Sequence, residues 1–224
     1  MEIISGIHQV DGVNANCYVV VGEGLVLIDT GLPNNRKRIE TYIRDTLKRN
    51  PADLETIILT HFHIDHIGNV AELKNISGAK VAVHEDDADY IVGKKSMPRP
   101  KGVRGFFFKV ISSFFKVKYI YPDLLLKDND LIEGLLCIHT PGHTPGSICL
   151  YDSNRKILFV GDILRFMDGK LEGPPAQFTM NINEAKKSIK KISTLEFDTM
   201  LSGHGEPLMS GASFKVREFC KKSQ

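Results

Sequence analysis

The stretch Thr60-His61-Phe62-His63-Ile64-Asp65-His66-Ile67-Gly68 limits what this chain can become more than any other part of it. It follows the aliphatic run Ile57-Ile58-Leu59, which reads as a buried strand, and it sets three imidazoles and a carboxylate within six residues. Protonated imidazoles repel one another and buried neutral ones need partners, so the crowding is unfavourable unless a cation holds them. A divalent metal removes both objections. If the chain leaves the strand extended, His61 and His63 project to one side and suit chelation of one ion. Asp65 and His66 are adjacent, and a turn into the next helix points them away from that pair, toward a second ion. The plainer reading, a polar loop with chance histidines, fits four ligand-type residues at this spacing poorly.

The rest of the chain reads as sheet covered by helices. Residues 2–10, 16–22 and 24–29 read as short strands of an opening meander, with Gly22-Glu23-Gly24 as a turn. Asp29-Thr30-Gly31 closes it, and Asp29 is either a turn cap or a partner for a metal-bound imidazole. Ile39, Ile43 and Leu47 predict an amphipathic helix over 34–48, ended by Pro51. A helix from Val70 and a strand over Lys80–His84 follow. His84 heads the acidic Glu85-Asp86-Asp87, which reads as a capped helix start, and His84 itself as structural. Later strands are expected around Leu124–Leu126, Leu135–Ile138, Ser147–Leu150 and Lys156–Val160, with a covering helix marked by Ile182, Ala185, Ile189 and Ile192.

Size and composition narrow the class. The 224 residues suit a single domain, and an apolar fraction of 42% with 25% charged residues suits a globular protein with a sizeable core. No run approaches the roughly 20 apolar residues needed to span a bilayer, and the start lacks the features of a signal peptide, so a cytoplasmic location is expected. Cys17, Cys137, Cys149 and Cys220 show no CxxC spacing and are expected to be thiols without a chemical role. The net charge of +2 hides one basic segment: Lys94 to Lys118 carries eight basic residues and no acidic one, which leaves the remainder at −6. A basic, Phe-rich helical insertion is therefore expected at about 94–120. Its Phe106, Phe107, Phe114 and Phe115 are expected either to pack on the core or to wall a substrate pocket with an anion-attracting rim.

Three further pieces carry ligand-type residues after strands. Pro141-Gly142-His143-Thr144-Pro145-Gly146 restricts the backbone around an imidazole, Gly161-Asp162 ends a strand in a carboxylate, and Gly203-His204-Gly205 sets an imidazole between glycines. Each alone reads as a turn or cap; together with the first cluster they read as ligands.

His61-x-His63-x-Asp65-His66, then His143, Asp162 and His204, in this order from about Asn16 to Gly205, resembles the metallo-β-lactamase superfamily, and the His143 loop resembles its glyoxalase II-like hydrolases. The resemblance implies an α/β fold, a four-layer αβ/βα sandwich. It also implies that His61, His63 and His143 bind one metal, that Asp65, His66 and His204 bind the other, that Asp162 bridges them, and that Asp29 supports a ligand from behind. Asp65 is taken as the catalytic carboxylate as well as a ligand, and His139 as packing or support.

The expected activity is hydrolysis of a small ester, thioester or lactone, with a hydroxide shared between two divalent ions as nucleophile. Zinc is the expected metal, although imidazole and carboxylate without thiolate suit iron or manganese equally. Only about twenty residues follow His204, which counts against the glutathione contacts of glyoxalase II. A mononuclear iron persulfide dioxygenase, with ligands at His61, His143 and Asp162, is the alternative. Nucleic acid as a partner rests only on the basic segment and is disfavoured against a small molecule, anionic or acyl-bearing. No oligomeric state is implied.

Overall fold

The computed structural model describes residues 1–98 and 118–222. Most of the insertion expected at 94–120, including Phe106, Phe107, Phe114 and Phe115, lies outside the described residues. The chain forms two compact units, Met1–Val83 with Ala88–Leu125, and His84–Asp87 with Leu126–Gln224.

The first unit is built on a seven-stranded sheet whose strands follow sequence order. β1 (Glu2–Ile4) and β2 (Ile7–Gln9) form a hairpin, so residues 2–10 are two strands rather than one; Gly6 at φ +75° makes the reversal between them. β3 (Tyr18–Val21) and β4 (Leu25–Ile28) complete an antiparallel meander. β5 (Leu54–Ile58) and β6 (Lys80–His84) then add in parallel to β4, and β7 (Leu124–Leu126) closes the order. Parallel neighbours need crossovers, and here helices make them. α1 (Arg36–Thr41) joins β4 to β5, while α2 (Ile64–Ile67) and α3 (Val70–Ser77) join β5 to β6.

The helix expected over 34–48 is shorter and changes character. From Tyr42 to Thr46 it widens into a π-helical turn, with the Leu47 N–H donating to the Tyr42 carbonyl at 3.1 Å. Lys48 at φ +55° ends it, ahead of Pro51, which instead opens a 3₁₀ turn capped by Asn50. Ile39 and Ile43 are still fully buried with Val19, Leu27 and Ile57, each side chain contributing about 1.5–3 kcal/mol by leaving water.

The second unit holds a five-stranded sheet in the order β14-β11-β10-β9-β8. β8 (Leu131–Ile132), β9 (Leu135–His139), β10 (Ile148–Asp152) and β11 (Ile157–Gly161) pair antiparallel, and β14 (Thr199–Ser202) adds to β11 in parallel. β9, β11 and β14 therefore run the same way, and their C-terminal ends lie at one edge. β12 (Arg165–Met167) and β13 (Lys170–Glu172) form a separate hairpin. α4 (Glu85–Ile91) follows β6, and its first three residues belong to this unit. α5 (Ile182–Ile192) and α6 (Ala212–Lys222) bury Ala185, Ile189, Ile192 and Val216 with Leu158 and Met200.

Candidate metal centre

In the first unit, parallel pairing of β4 with β5 brings the ends of both strands to one edge, where β4 delivers Asp29 and β5 leads into His61. Asp29 sits at φ +60°, a conformation that side chains with a Cβ adopt at some cost, and it is 1% exposed. Hydrogen bonds offset that strain. Its Oδ1 accepts from the Thr60 N–H at 2.8 Å, and its Oδ2 accepts from the Thr60 hydroxyl at 2.7 Å and from His66 Nδ1 at 2.8 Å.

These bonds fix two tautomers. His66 directs its Nδ1 proton at the carboxylate, so the neutral ring presents a lone pair at Nε2. The Thr60 hydroxyl has one hydrogen and gives it to Asp29, so at 3.0 Å from His61 Nδ1 it accepts, and His61 also presents Nε2. One buried carboxylate thus orients two imidazoles, one directly and one through a hydroxyl.

The extended chain expected after β5 is present. Phe62 between the two histidines is fully buried and stacks on Tyr90 with centroids 4.1 Å apart, which leaves His61 and His63 on the opposite side. The rings of His61 and His63 lie 4.7 Å apart, those of His61 and His66 4.0 Å. Ligand atoms of His61 and His63, and of Asp65 and His66, fall within 4.8 Å of each other. Asp65 and His66 ride on α2, for which His63 is the N-cap residue.

In the second unit, the common edge of β9, β11 and β14 carries the remaining three. Asp162 follows β11 and His204 follows β14, with the Gly203 N–H donating to the Gly161 carbonyl at 2.7 Å across the pair. Asp162 Oδ2 lies 3.6 Å from His143 Nε2 and 3.5 Å from His204 Nε2. Two ligands about 2.1 Å from one ion at tetrahedral angles sit about 3.4 Å apart, so both separations fit a carboxylate oxygen that shares an ion with each imidazole. His143 repeats the tautomer device of the first unit. The Thr179 hydroxyl donates to the Pro175 carbonyl at 2.9 Å, so at 3.2 Å it accepts from His143 Nδ1 and leaves Nε2 as the ligand atom.

The donor set therefore fits a divalent metal: imidazoles, of which His61, His66 and His143 present Nε2, carboxylates, and no thiolate. The buried cysteines are poor nucleophiles on their own terms. All four are thiols, and burial pushes Cys137 and Cys149 up to about 12.

His84, Asp86 and His139 also place ligand atoms within 4.8 Å of one another. They suit a metal poorly, because the two rings stack 3.8 Å apart at 16°, and the in-plane lone pairs of near-parallel rings pass each other rather than converge. His139 instead donates through Nε2 to the Pro145 carbonyl at 2.8 Å, which is support for the His143 loop. Thr60, Thr179 and their roles went unread in the sequence; a lone threonine carries no spacing signal.

No helix among the described residues is long and apolar enough to cross a membrane. A family profile described as the metallo-beta-lactamase superfamily matches residues 10–204. The probable metallo-hydrolase YflN of Bacillus subtilis is 31% identical, over 96% of this chain and 89% of the relative. The acyl-coenzyme A thioesterase MBLAC2 of Bos taurus is 29% identical over 86% and 74%. A solved metallo-beta-lactamase family protein of Thermus thermophilus, TTHA1429, superposes with a TM-score of 0.76 at 20% identity, over 100% of this chain and 81% of that one. That likeness speaks for the fold, an α/β sandwich of mixed sheets and helices.

Proposed function

Because the chain belongs to the metallo-β-lactamase superfamily, we propose that its seven ligand-type residues serve one dinuclear metal centre that hydrolyses a small acyl substrate, a thioester before an ester or lactone. His61, His63 and His143 hold one divalent ion, Asp65, His66 and His204 the other, and Asp162 bridges them. On this reading residues 1–224 make a single metallo-hydrolase domain. The observation that carries it is Asp162 Oδ2 standing 3.6 and 3.5 Å from two imidazole nitrogens, the spacing of ligands around ions.

A pair of divalent ions, when bound, would supply a water deprotonated at neutral pH and a Lewis acid for the substrate carbonyl, so no serine or cysteine nucleophile would be required. The protein's own groups do the rest. Asp29 and Thr60 keep the protons of His61 and His66 on Nδ1, and Thr179 does the same for His143, so none of these rings competes for the proton of the attacking water. Asp65, beside His66 at the start of α2, is the carboxylate assigned to orient that water. Preference for a thioester draws on the thioesterase relative. Zinc is the first choice, with iron or manganese compatible with the same donors.

The test is release of free thiol from short acyl-coenzyme A substrates by protein as purified, after chelation, and after return of zinc, iron or manganese. Activity should vanish with the metal and return with it. Activity indifferent to chelation would sink the reading, and oxygen uptake with a persulfide would replace it.

A further inference from the structure

The run Glu85-Asp86-Asp87 has the composition of an acidic helix start, yet its third carboxylate is turned away from that use. Asp87 is fully buried, and both its oxygens are engaged by the loop that carries His143. Oδ2 accepts from the Thr144 hydroxyl at 2.7 Å and Oδ1 from the Gly146 N–H at 2.6 Å. The loop is wound to meet it. The Thr144 N–H donates to the Ser147 hydroxyl oxygen at 2.9 Å, and because Thr144 gives its own hydrogen to Asp87, Ser147 donates back to Thr144 at 2.8 Å. No side chain fits at position 146, where a Cβ would stand 2.6 Å from the Asp87 nitrogen.

A buried carboxylate facing neutral donors is an unfavourable way to hold a loop, unless the position of that loop matters to a fraction of an ångström. An asparagine would supply one acceptor where two donors converge, leaving the other facing an amide NH₂. What the grip fixes is the backbone one residue after His143.

We propose that Asp87 is a positioning residue for the metal site: by clamping Thr144 and Gly146 it sets how tightly the ion ligated by His143 is held. The proposal rests on the dinuclear reading above and adds a residue to it that touches neither metal nor substrate.

The experiment follows loss of zinc from zinc-loaded protein to a chelator, counted as ions remaining per chain, with thermal melting recorded alongside. In Asp87→Asn, one of the two ions should be lost at about 10- to 100-fold lower chelator concentration than in the parent, the range for outer partners of metal ligands, while the other is kept. Thr144→Val, nearly isosteric, should move the same ion in the same direction, and Thr144→Ser, which keeps the hydroxyl, should restore it. Should Asp87→Asn fail to fold, the Thr144 pair decides. A purely structural role predicts a lower melting temperature with both ions held as in the parent, and that result would overturn the proposal, as would equal loss of both ions. Wild-type protein that binds no zinc would overturn this proposal and the dinuclear reading together; wild-type protein that binds two, with an indifferent Asp87→Asn, would overturn this one alone.

Discussion

The loop after β5 and the loop between β9 and β10 present imidazoles in the same tautomer by different means. In the first, a buried carboxylate touches the ligand: Asp29 accepts directly from His66 and reaches His61 through Thr60. In the second, the ligand's partner is a neutral hydroxyl, Thr179, and the carboxylate is applied to the backbone instead, Asp87 gripping Thr144 and Gly146. A carboxylate on the ring tunes ligand basicity as well as orientation, whereas one on the loop governs placement alone. The difference follows from where rigidity comes from. Asp29 and His61 stand at the ends of paired parallel strands, so the scaffold places them and the charge is left to act on the ring. His143 sits in an eight-residue connection, Thr140 to Ser147, whose course side chains hold together with backbone bonds from Met180 and Asn181.

The largest effect should come from the glycines that let each loop pass against its neighbours. A Cβ at Gly142 would stand 2.2 Å from the Ala185 backbone nitrogen at φ +133°, and one at Gly68 would stand 2.3 Å from the Pro33 nitrogen at an ordinary helical φ. Gly142→Ala combines overpacking with backbone strain and should cost about 2–4 kcal/mol in denaturant unfolding. Gly68→Ala meets the clash alone and should cost about 1–3 kcal/mol. Equal costs would mean that the second loop is no more conformationally demanding than the first.

Next is Asp29→Asn, which keeps the shape but removes the charge from behind His66. Affinity for zinc in competition with a chelator should fall about 10- to 100-fold, with the fold intact by circular dichroism. Thr179→Val removes two neutral hydrogen bonds, to His143 and to the Pro175 carbonyl; the one that bears on the ligand is worth about 0.5–1.5 kcal/mol, so the same binding should weaken by about 3- to 10-fold. An effect of Thr179→Val as large as that of Asp29→Asn would erase the distinction between a charged and a neutral partner.

Much of the first loop was legible in the sequence because its ligands are local. Three imidazoles and a carboxylate in six residues announce themselves, and Asp29 stood out as a carboxylate ending a strand. The second loop was legible only as an imidazole between prolines and glycines, and its supports were not. Asp87 reaches Thr144 across 57 residues and Thr179 reaches His143 across 36, and neither pairing leaves a periodic trace. An acidic triplet at a helix start reads as capping because it usually is. Backbone detail escaped for a similar reason. The π-helical turn at Tyr42–Thr46 keeps the same apolar stripe that an α-helix would, so spacing does not separate them. The hairpin β12–β13 and helix α6 carry too weak a pattern in Arg165–Met167, Lys170–Glu172 and Ala212–Lys222 to have been read as elements.

A smaller effect concerns the stacked His84 and His139, which belong to the second loop's support because His139 donates to the Pro145 carbonyl. Burial, and then the neighbouring His139, holds His84 below its ordinary value of 6.5. The unfolded chain therefore takes up this proton first, and the stability contributed is complete above about pH 6.5 and declines as the pH falls toward the folded value. Urea unfolding of metal-free protein should show that decline, and His84→Gln should make it shallower. An unchanged slope would mean that His84 does not contribute to the decline. The smallest effect is expected from thiol alkylation at pH 8: Cys137 and Cys149, raised to about 12, should stay unmodified, and modification of the half-buried Cys220 should leave hydrolysis unchanged.

Both loops matter only if each serves a metal, so the deciding quantity is zinc per chain in the wild type and in His143→Ala after reconstitution and removal of excess ion. Two ions per chain are expected in the first and one in the second, with thiol release from acyl-coenzyme A lost in the variant. One ion per chain in the wild type, or two retained when His143 is gone, would contradict it.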